Sequence, residues 1–318
     1  MEKMRESVFV LINTYGANLD TRVAAIRRTW ARRLNGSHVF LSNATDASLP
    51  SIHVNGSGEG RRFLWAKVSG ALRWAYSQHK ASHAWFMKTD DDVYLVVENL
   101  RYLLLRYNPD EPIKLGCNFH NAGSPNDEFI SGPAVVLSRE ALRRLVEQGL
   151  DGGRCPGPLE EEHEDVVLGR CMKLLGARLV DSRDADGRHR FLPLAYDRFL
   201  PQVRPGEAYL GDDVYFAYPV KRGFNCCSEQ AISFHYLSAE RILAMEYSLY
   251  HLHPFGLLPI KLLGYQRMVD DENLLKLARL DSIKGSVSWV HEPCLKPWVR
   301  AQLMVRAGLF SLFNLQQA

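Results

Sequence analysis

The stretch "AWFMKTDDDVYLVVENLRYLL" (residues 84–104) sets three adjacent carboxylates, Asp90, Asp91 and Asp92, between two apolar runs. Like charges side by side repel, so the cluster costs stability unless a cation offsets it. Taken alone, three aspartates read as a solvated acidic turn. The setting favours a site. Ala84 to Lys88 reads as a strand, and Leu100, Leu103 and Leu104 mark a helix beyond the carboxylates.

Outward from this stretch, strands alternate with helices. "SVFVLINTY" (residues 7–15) and "HVFLS" (38–42) read as strands. Between them, "RVAAIRRTWARR" carries Val23, Ile26 and Trp30 at helical spacing, with Thr21 as a cap. Leu64, Val68, Leu72 and Ala75 mark an amphipathic helix. "FISGPAVVLS" (129–138) reads as a strand broken at Gly132 and Pro133, with a helix after it. "EDVVLGRCMKLLG" places Val167, Leu168, Cys171, Leu174 and Leu175 on one helix face, stopped by Gly176. Residues 183–224 read as loops over the site, and a later strand ends near His235. The alternation predicts an α/β fold with a mainly parallel sheet covered by helices. Ligands of such sheets bind beyond the carboxyl ends of the strands, where Asp90 to Asp92 stand.

The chain has 318 residues, 46% of them hydrophobic and 24% charged, enough for one large α/β domain with additions or for two smaller ones. A net charge of +3 gives no argument for nucleic acid. There is no Gly-x-Gly-x-x-Gly or Walker loop, and no internal repeat. No stretch reaches the roughly 18 to 20 apolar residues that span a bilayer. The start, "MEKMRESVFVLINTYG", lacks the length and flanks of a signal peptide, so a secretory protein would have its targeting segment missing from this chain. Clustered acceptor sequons at Asn35, Asn43 and Asn55 do point to the secretory route. The spacing of Cys117, Cys155, Cys171, Cys226, Cys227 and Cys294 fits no zinc ribbon or finger. Six reduced thiols in a cytosolic enzyme stay open as the alternative.

Carboxylates two positions apart at a strand end suit a hard divalent cation, Mg²⁺ or Mn²⁺, of the kind that also holds nucleotide phosphates. A histidine ligand leans the choice toward Mn²⁺. His235 is the candidate, against the plainer reading of a core or turn histidine.

These residues belong to a longer ordered set: "RRTW", "EGRRFLWAK", the acidic stretch, "YNPDEPI", "EDVVLGRCM", "DSRD", "NCCSEQAISFHYLS" and "YSLYHLHPFG". With this set the chain resembles the core 1 β1,3-galactosyltransferases, within the larger β1,3-glycosyltransferase family, from about Val8 to Gly256. The resemblance implies a single-domain GT-A fold over residues 1–256, with 257–318 as an extension. It also implies a UDP-sugar donor, a glycoprotein or glycopeptide acceptor, Mn²⁺, inversion at the anomeric carbon and a Golgi location, lumenal or through a membrane anchor absent from this chain. It leaves room for a homodimer. By position, Asp90, Asp92 and His235 would bind the metal. Glu59, Gly60, Arg61 and Lys67, with Asp90, His235 and Tyr236, would bind the donor. Asp165 would be the catalytic base, where a helix dipole favours the ionised carboxylate; helix capping by Glu164 and Asp165 is the rival reading. Cys155 with Cys171, and Cys226 with Cys227, fall where the family has disulfides. Cys117 and Cys294 have no counterpart, and their mutual pairing is a guess.

Two departures bear on the substrates. Where the family has a glycine-rich segment, this chain has Ser131-Gly132-Pro133-Ala134, and proline removes an amide donor. The tryptophan-rich acceptor segment is replaced by "DDVYFAYPVKRGF", leaving Tyr215 or Phe216 as an aromatic platform for a sugar. The resemblance implies transfer of galactose from UDP-galactose to the 3-hydroxyl of O-linked GalNAc. Its alternatives are another donor or acceptor in the same family, a non-catalytic chaperone-like relative, and a metal-dependent phosphohydrolase.

Overall fold

The structure is a computed structural model describing residues 7–43, 49–54, 60–121, 124–155, 163–200 and 215–252, with backbone alone at 121, 124–127 and 131–133. Among the described residues the chain forms β1 (Val8–Asn13), α1 (Ala24–Arg28), β2 (His38–Leu41), β3 (Ser51–Ile52), α2 (Leu64–His79), β4 (Trp85–Asp90), β5 (Tyr94–Leu95) and α3 (Val97–Leu104). There follow β6 (Ile113–Asn121), β7 (Ser124–Ser138), α4 (Arg139–Arg144), α5 (Glu164–Leu174), β8 (Arg178–Leu179), β9 (Phe191–Leu192), β10 (Ser233–Phe234) and α6 (Ala239–Tyr250).

The larger sheet runs β3-β2-β1-β4-β7-β6-β8. Strand β7 is antiparallel to both its neighbours, and the remaining pairs are parallel. A mainly parallel sheet flanked by helices is the α/β architecture that the alternation predicts. Side chains of a strand alternate between faces. Val8, Val10, Ile12, Trp85 and Met87 accordingly join one apolar core, while Phe9, Leu11 and Phe86 join another with α2 and α5. Burial on both faces explains why β1 and β4 read as nearly unbroken apolar runs. A small second sheet, β5-β10-β9, lies beyond the end of β4.

Several local expectations change. The helix read over residues 22–33 breaks at Thr29, whose hydroxyl donates to the Ala25 carbonyl at 2.8 Å, and the chain turns more tightly through Trp30–Leu34. That turn buries Trp30, whose indole N–H donates to the Val93 carbonyl at 3.0 Å and so braces the segment after the aspartates. Strand β7 is longer than expected and continuous, and the break read at Gly132 and Pro133 survives as a register shift opposite Leu115 and Cys117 of β6. Leu174, placed on the buried face, is 58% exposed. Cys117 is a buried free thiol with its Sγ 4.0 Å from His189 Nδ1, which removes the guessed pairing; Cys294 lies outside the described residues. The boundary expected near residue 256 lies outside them too.

Helix α5 is fixed at several points. A Cβ on Gly169 would sit 2.5 Å from the Phe129 Cβ, so the glycine lets the helix approach β7 closely. Cys171 is bonded to Cys155, and Cys226 to Cys227. On the opposite side of the molecule, Arg33 binds Glu246 of α6 through both guanidinium arms, at 2.9 and 2.6 Å. Tyr94 donates to the same carboxylate at 2.7 Å, and Arg33 lies over the Tyr250 ring. None of the helices described is long and apolar enough to cross a membrane.

His189 carries a pH signature. Burial, and then the Arg183 guanidinium, push its imidazole from 6.5 down to about 4. As pH falls, the unfolded chain takes up this proton first. The stabilisation from a neutral His189 is therefore complete above about pH 6.5 and is lost towards pH 4, an effect on the order of 3 kcal/mol. Urea titrations at several pH values should show this acid loss in the parent and a flatter profile in His189→Gln.

Candidate active site

Parallel pairing of β1 with β4 sets Asn13 beside Asp90, and the Asn13 amide donates to Asp90 Oδ1 at 3.3 Å. The chain turns at once, and the three aspartates part company. Asp91 is buried and faces the loop after β1. It accepts from Thr14 Oγ1 at 2.6 Å, from Asn18 Nδ2 at 2.8 Å and from Arg22 at 3.3 Å. That carboxylate has its donors within the fold and is a structural pin. Lys67 reaches the same loop, burying its ammonium at 2.7 Å from the Thr14 carbonyl.

Asp90 and Asp92 face the other way, towards His235. Antiparallel pairing of β5 with β10 sets Phe234 opposite Tyr94, and the Leu237 amide donates to the Asp92 carbonyl at 2.9 Å. This short ladder carries His235 to the aspartates from far along the chain. His235 Nδ1 lies 3.1 Å from the Pro193 carbonyl, which can only accept, so the ring proton belongs on Nδ1. Nε2 then offers its lone pair towards Asp92 Oδ1, 3.1 Å away and buried without a hydrogen-bond donor. Two lone pairs face one another stably only with positive charge on or between them. One ligand atom each from Asp90, Asp92 and His235 lie within 4.8 Å of one another. This two-oxygen, one-nitrogen set fits a divalent cation. Burial raises the Asp90 carboxyl.

Tyr236 has φ 56°, a left-handed conformation that non-glycine residues adopt sparingly. Its ring stacks on the His235 imidazole at 3.9 Å and remains 61% exposed, so it presents an aromatic face beside the cluster. Gly60, at φ 98°, opens the turn leading into α2, and Arg61 after it is exposed. Glu59 lies outside the described residues.

Lys88 was not singled out by the sequence reading. Strand alternation puts Phe86, Lys88 and Asp90 on one face of β4, which α5 covers. The Lys88 ammonium is buried, 2.7 Å from Glu164 and 3.1 Å from Asp90. Burial would lower its pKa, but Asp90 and Glu164 override this and hold it charged, above the ordinary lysine range. Glu164 stays low despite burial, through the same ion pair. Asp165, the next residue, is half-buried, and its Oδ1 accepts from the Val166 amide at 2.9 Å. A lysine in an alternating buried strand was the available signal, since such a charge needs partners.

The aromatic platform expected at Phe216 is not there. Phe216 packs inward on Phe119, with centroids 4.6 Å apart, and on His189. Tyr215 is half-buried, and Phe224, beside the Cys226–Cys227 bridge, is 97% exposed.

Residues 3–189 match the family described as Fringe-like. The chain belongs to the Fringe-like family. It is 38% identical over 258 residues, 80% of this chain and 70% of the relative, to glycoprotein-N-acetylgalactosamine 3-beta-galactosyltransferase 1 of Xenopus laevis. Identity is 28% to human chondroitin sulfate synthase 3, over 54% of this chain and 21% of that one. It is 26% to a human beta-1,3-glucosyltransferase, over 56% and 35%. Among solved structures, the galactosyltransferase LgtC with donor and acceptor sugar analogs aligns at a TM-score of 0.43 and 10% identity, covering 80% of this chain and 99% of that one. This Fringe-like chain is a sugar-transferring enzyme.

The division of the aspartates is measurable. Asp91→Ala strands the buried Thr14 hydroxyl and should cost about 2–4 kcal/mol in urea denaturation. Asp92→Ala, without added metal, should cost less than about 1 kcal/mol, because it relieves repulsion. The reverse order would put Asp91 in the cation cluster.

Proposed function

We propose that this chain is a Mn²⁺-dependent, inverting β1,3-galactosyltransferase that moves galactose from UDP-galactose to the 3-hydroxyl of O-linked GalNAc on glycoproteins. The observation that carries the reading is the convergence of Asp90, Asp92 and His235 at the carboxyl end of the central strand β4, next to the α5 turn holding Asp165. The similarity to the Xenopus galactosyltransferase supports the choice of donor and acceptor. Residues 1–256 form the catalytic domain in this reading, with 257–318 an extension, and the enzyme works in the Golgi lumen.

Asp90, Asp92 and His235 would hold the cation, the imidazole kept in register by Pro193. When bound, Mn²⁺ supplies positive charge to the departing diphosphate. Tyr236 offers its exposed face to the donor, and Gly60, Arg61 and Lys67 would line the donor side, with Lys67 acting through the Thr14 loop that it braces; Glu59 is assigned to the donor by the resemblance alone. Asp165 takes the proton of the acceptor 3-hydroxyl as that oxygen attacks the anomeric carbon from the face opposite UDP. It stands in the first turn of α5, where the helix dipole favours negative charge. Glu164 is committed to Lys88, which leaves Asp165 as the better base of the two.

A donor screen of UDP-sugars, with and without Mn²⁺, against GalNAc-O-Ser/Thr peptides tests the reading. Galactose transfer that needs both metal and acceptor is expected; UDP release without an acceptor would indicate a hydrolase, and preference for another UDP-sugar a different transferase. Asp165→Asn should lower kcat by about 10² to 10⁴ and leave Mn²⁺-dependent UDP binding within a few fold. Asp90→Asn should weaken that binding itself. Near-normal turnover by Asp165→Asn would move the base elsewhere.

A further inference from the structure

Lys88 is 2% exposed, and its ammonium joins two elements through charge: the carboxyl end of β4 at Asp90 and the first turn of α5 at Glu164. Burying ions costs several kcal/mol, and a packed apolar pair in their place is often as stable or more so. Packing alone therefore gives no reason for a lysine here. The rest of α5 is held by other means, Gly169 against Phe129 and Cys171 through Cys155. Its N-terminal turn packs Val167 into the core and is tied to β4 by charge through Glu164. Asp165 follows directly, and its side chain is turned to the Val166 amide.

The geometry points to Lys88 as a positioning residue, an ionic strut that sets the separation between Asp165 and the carboxylates of the cation cluster. This rests on the role proposed above for Asp165. The attacking oxygen must lie between the base and an anomeric carbon whose place is fixed through the cation-bound diphosphate. The distance between base and cluster is thus the length that the reaction depends on, and an error of about 1 Å in such a distance can cost on the order of 10²-fold in rate. One ammonium shared by Asp90 and Glu164 fixes that length at both ends.

The test compares Lys88→Met, Glu164→Gln and the double variant Lys88→Met/Glu164→Met with the parent. Each single variant should lower kcat by about 10²-fold while changing the donor KM and Mn²⁺-dependent UDP affinity by less than about 3-fold. Hydrogen exchange should quicken at the Val167 amide, which bonds the His163 carbonyl across that turn, and stay slow in β1 and β4. The apolar double variant should recover thermal stability and remain as slow as the single variants. Were stability the whole role of Lys88, the double variant would recover kcat as well, and that result overturns the inference. So does a loss of UDP affinity matching Asp90→Asn, which would reduce Lys88 to a support for the cluster alone. Exchange needs no turnover. A parent that transfers no sugar sinks the functional reading, whereas unchanged exchange at the start of α5 sinks the strut.

Discussion

Negative charges set side by side at the end of an apolar strand must each find positive charge or donors of their own, and the site is the outcome of that constraint. Asp91 takes the hydroxyl, amide and guanidinium of the loop after β1. Asp90 takes one side of a buried ammonium, and Asp92 turns to an imidazole. The loop after β1, the first turn of α5 and the strand before His235 are each drawn to the carboxyl end of β4 by a different carboxylate. Without that division, three like charges in one place would oppose the parallel pairing of β1 with β4.

Much of this was legible in the chain because strands and acids are local signals. The apolar runs of β1 and β4 and the spacing of Asp90 and Asp92 needed only neighbouring residues to be read. His235 was reachable because it too ends an apolar run, although its arrival beside Asp92 depends on a two-residue ladder between β5 and β10. Contacts decided across the sheet were not legible. Lys88 resembles any charged residue near a strand end until α5 covers that face, and only then does Glu164 become its partner. The same holds for Phe216, whose burial depends on Phe119 in β6, a strand the sequence reading did not identify. Leu174 fits the helical period but falls where the covering layer stops.

The two carboxylates opening α5 show how one local motif can carry two tasks. Consecutive residues on a helix point about 100° apart. Glu164 is therefore carried inward to an ion pair, while Asp165 stays at the half-buried margin. The helix dipole acts on both, but only one keeps its carboxylate at the surface. Desolvation and an ammonium partner commit the first acid to the fold, and the second is the one proposed above for proton transfer.

The tie between Arg33, Glu246 and Tyr94 reaches beyond the site. Ile242 and Met245 of α6 share an apolar core with Trp30 and Leu34, so α6 closes over elements formed more than two hundred residues earlier. The Fringe-like match ends at residue 189, whereas His235 and this closing helix follow it. The autonomous folding unit consequently extends at least through Tyr250. A fragment trimmed to the matched segment would lose the His235 imidazole and expose Trp30, a large aromatic surface prone to self-association.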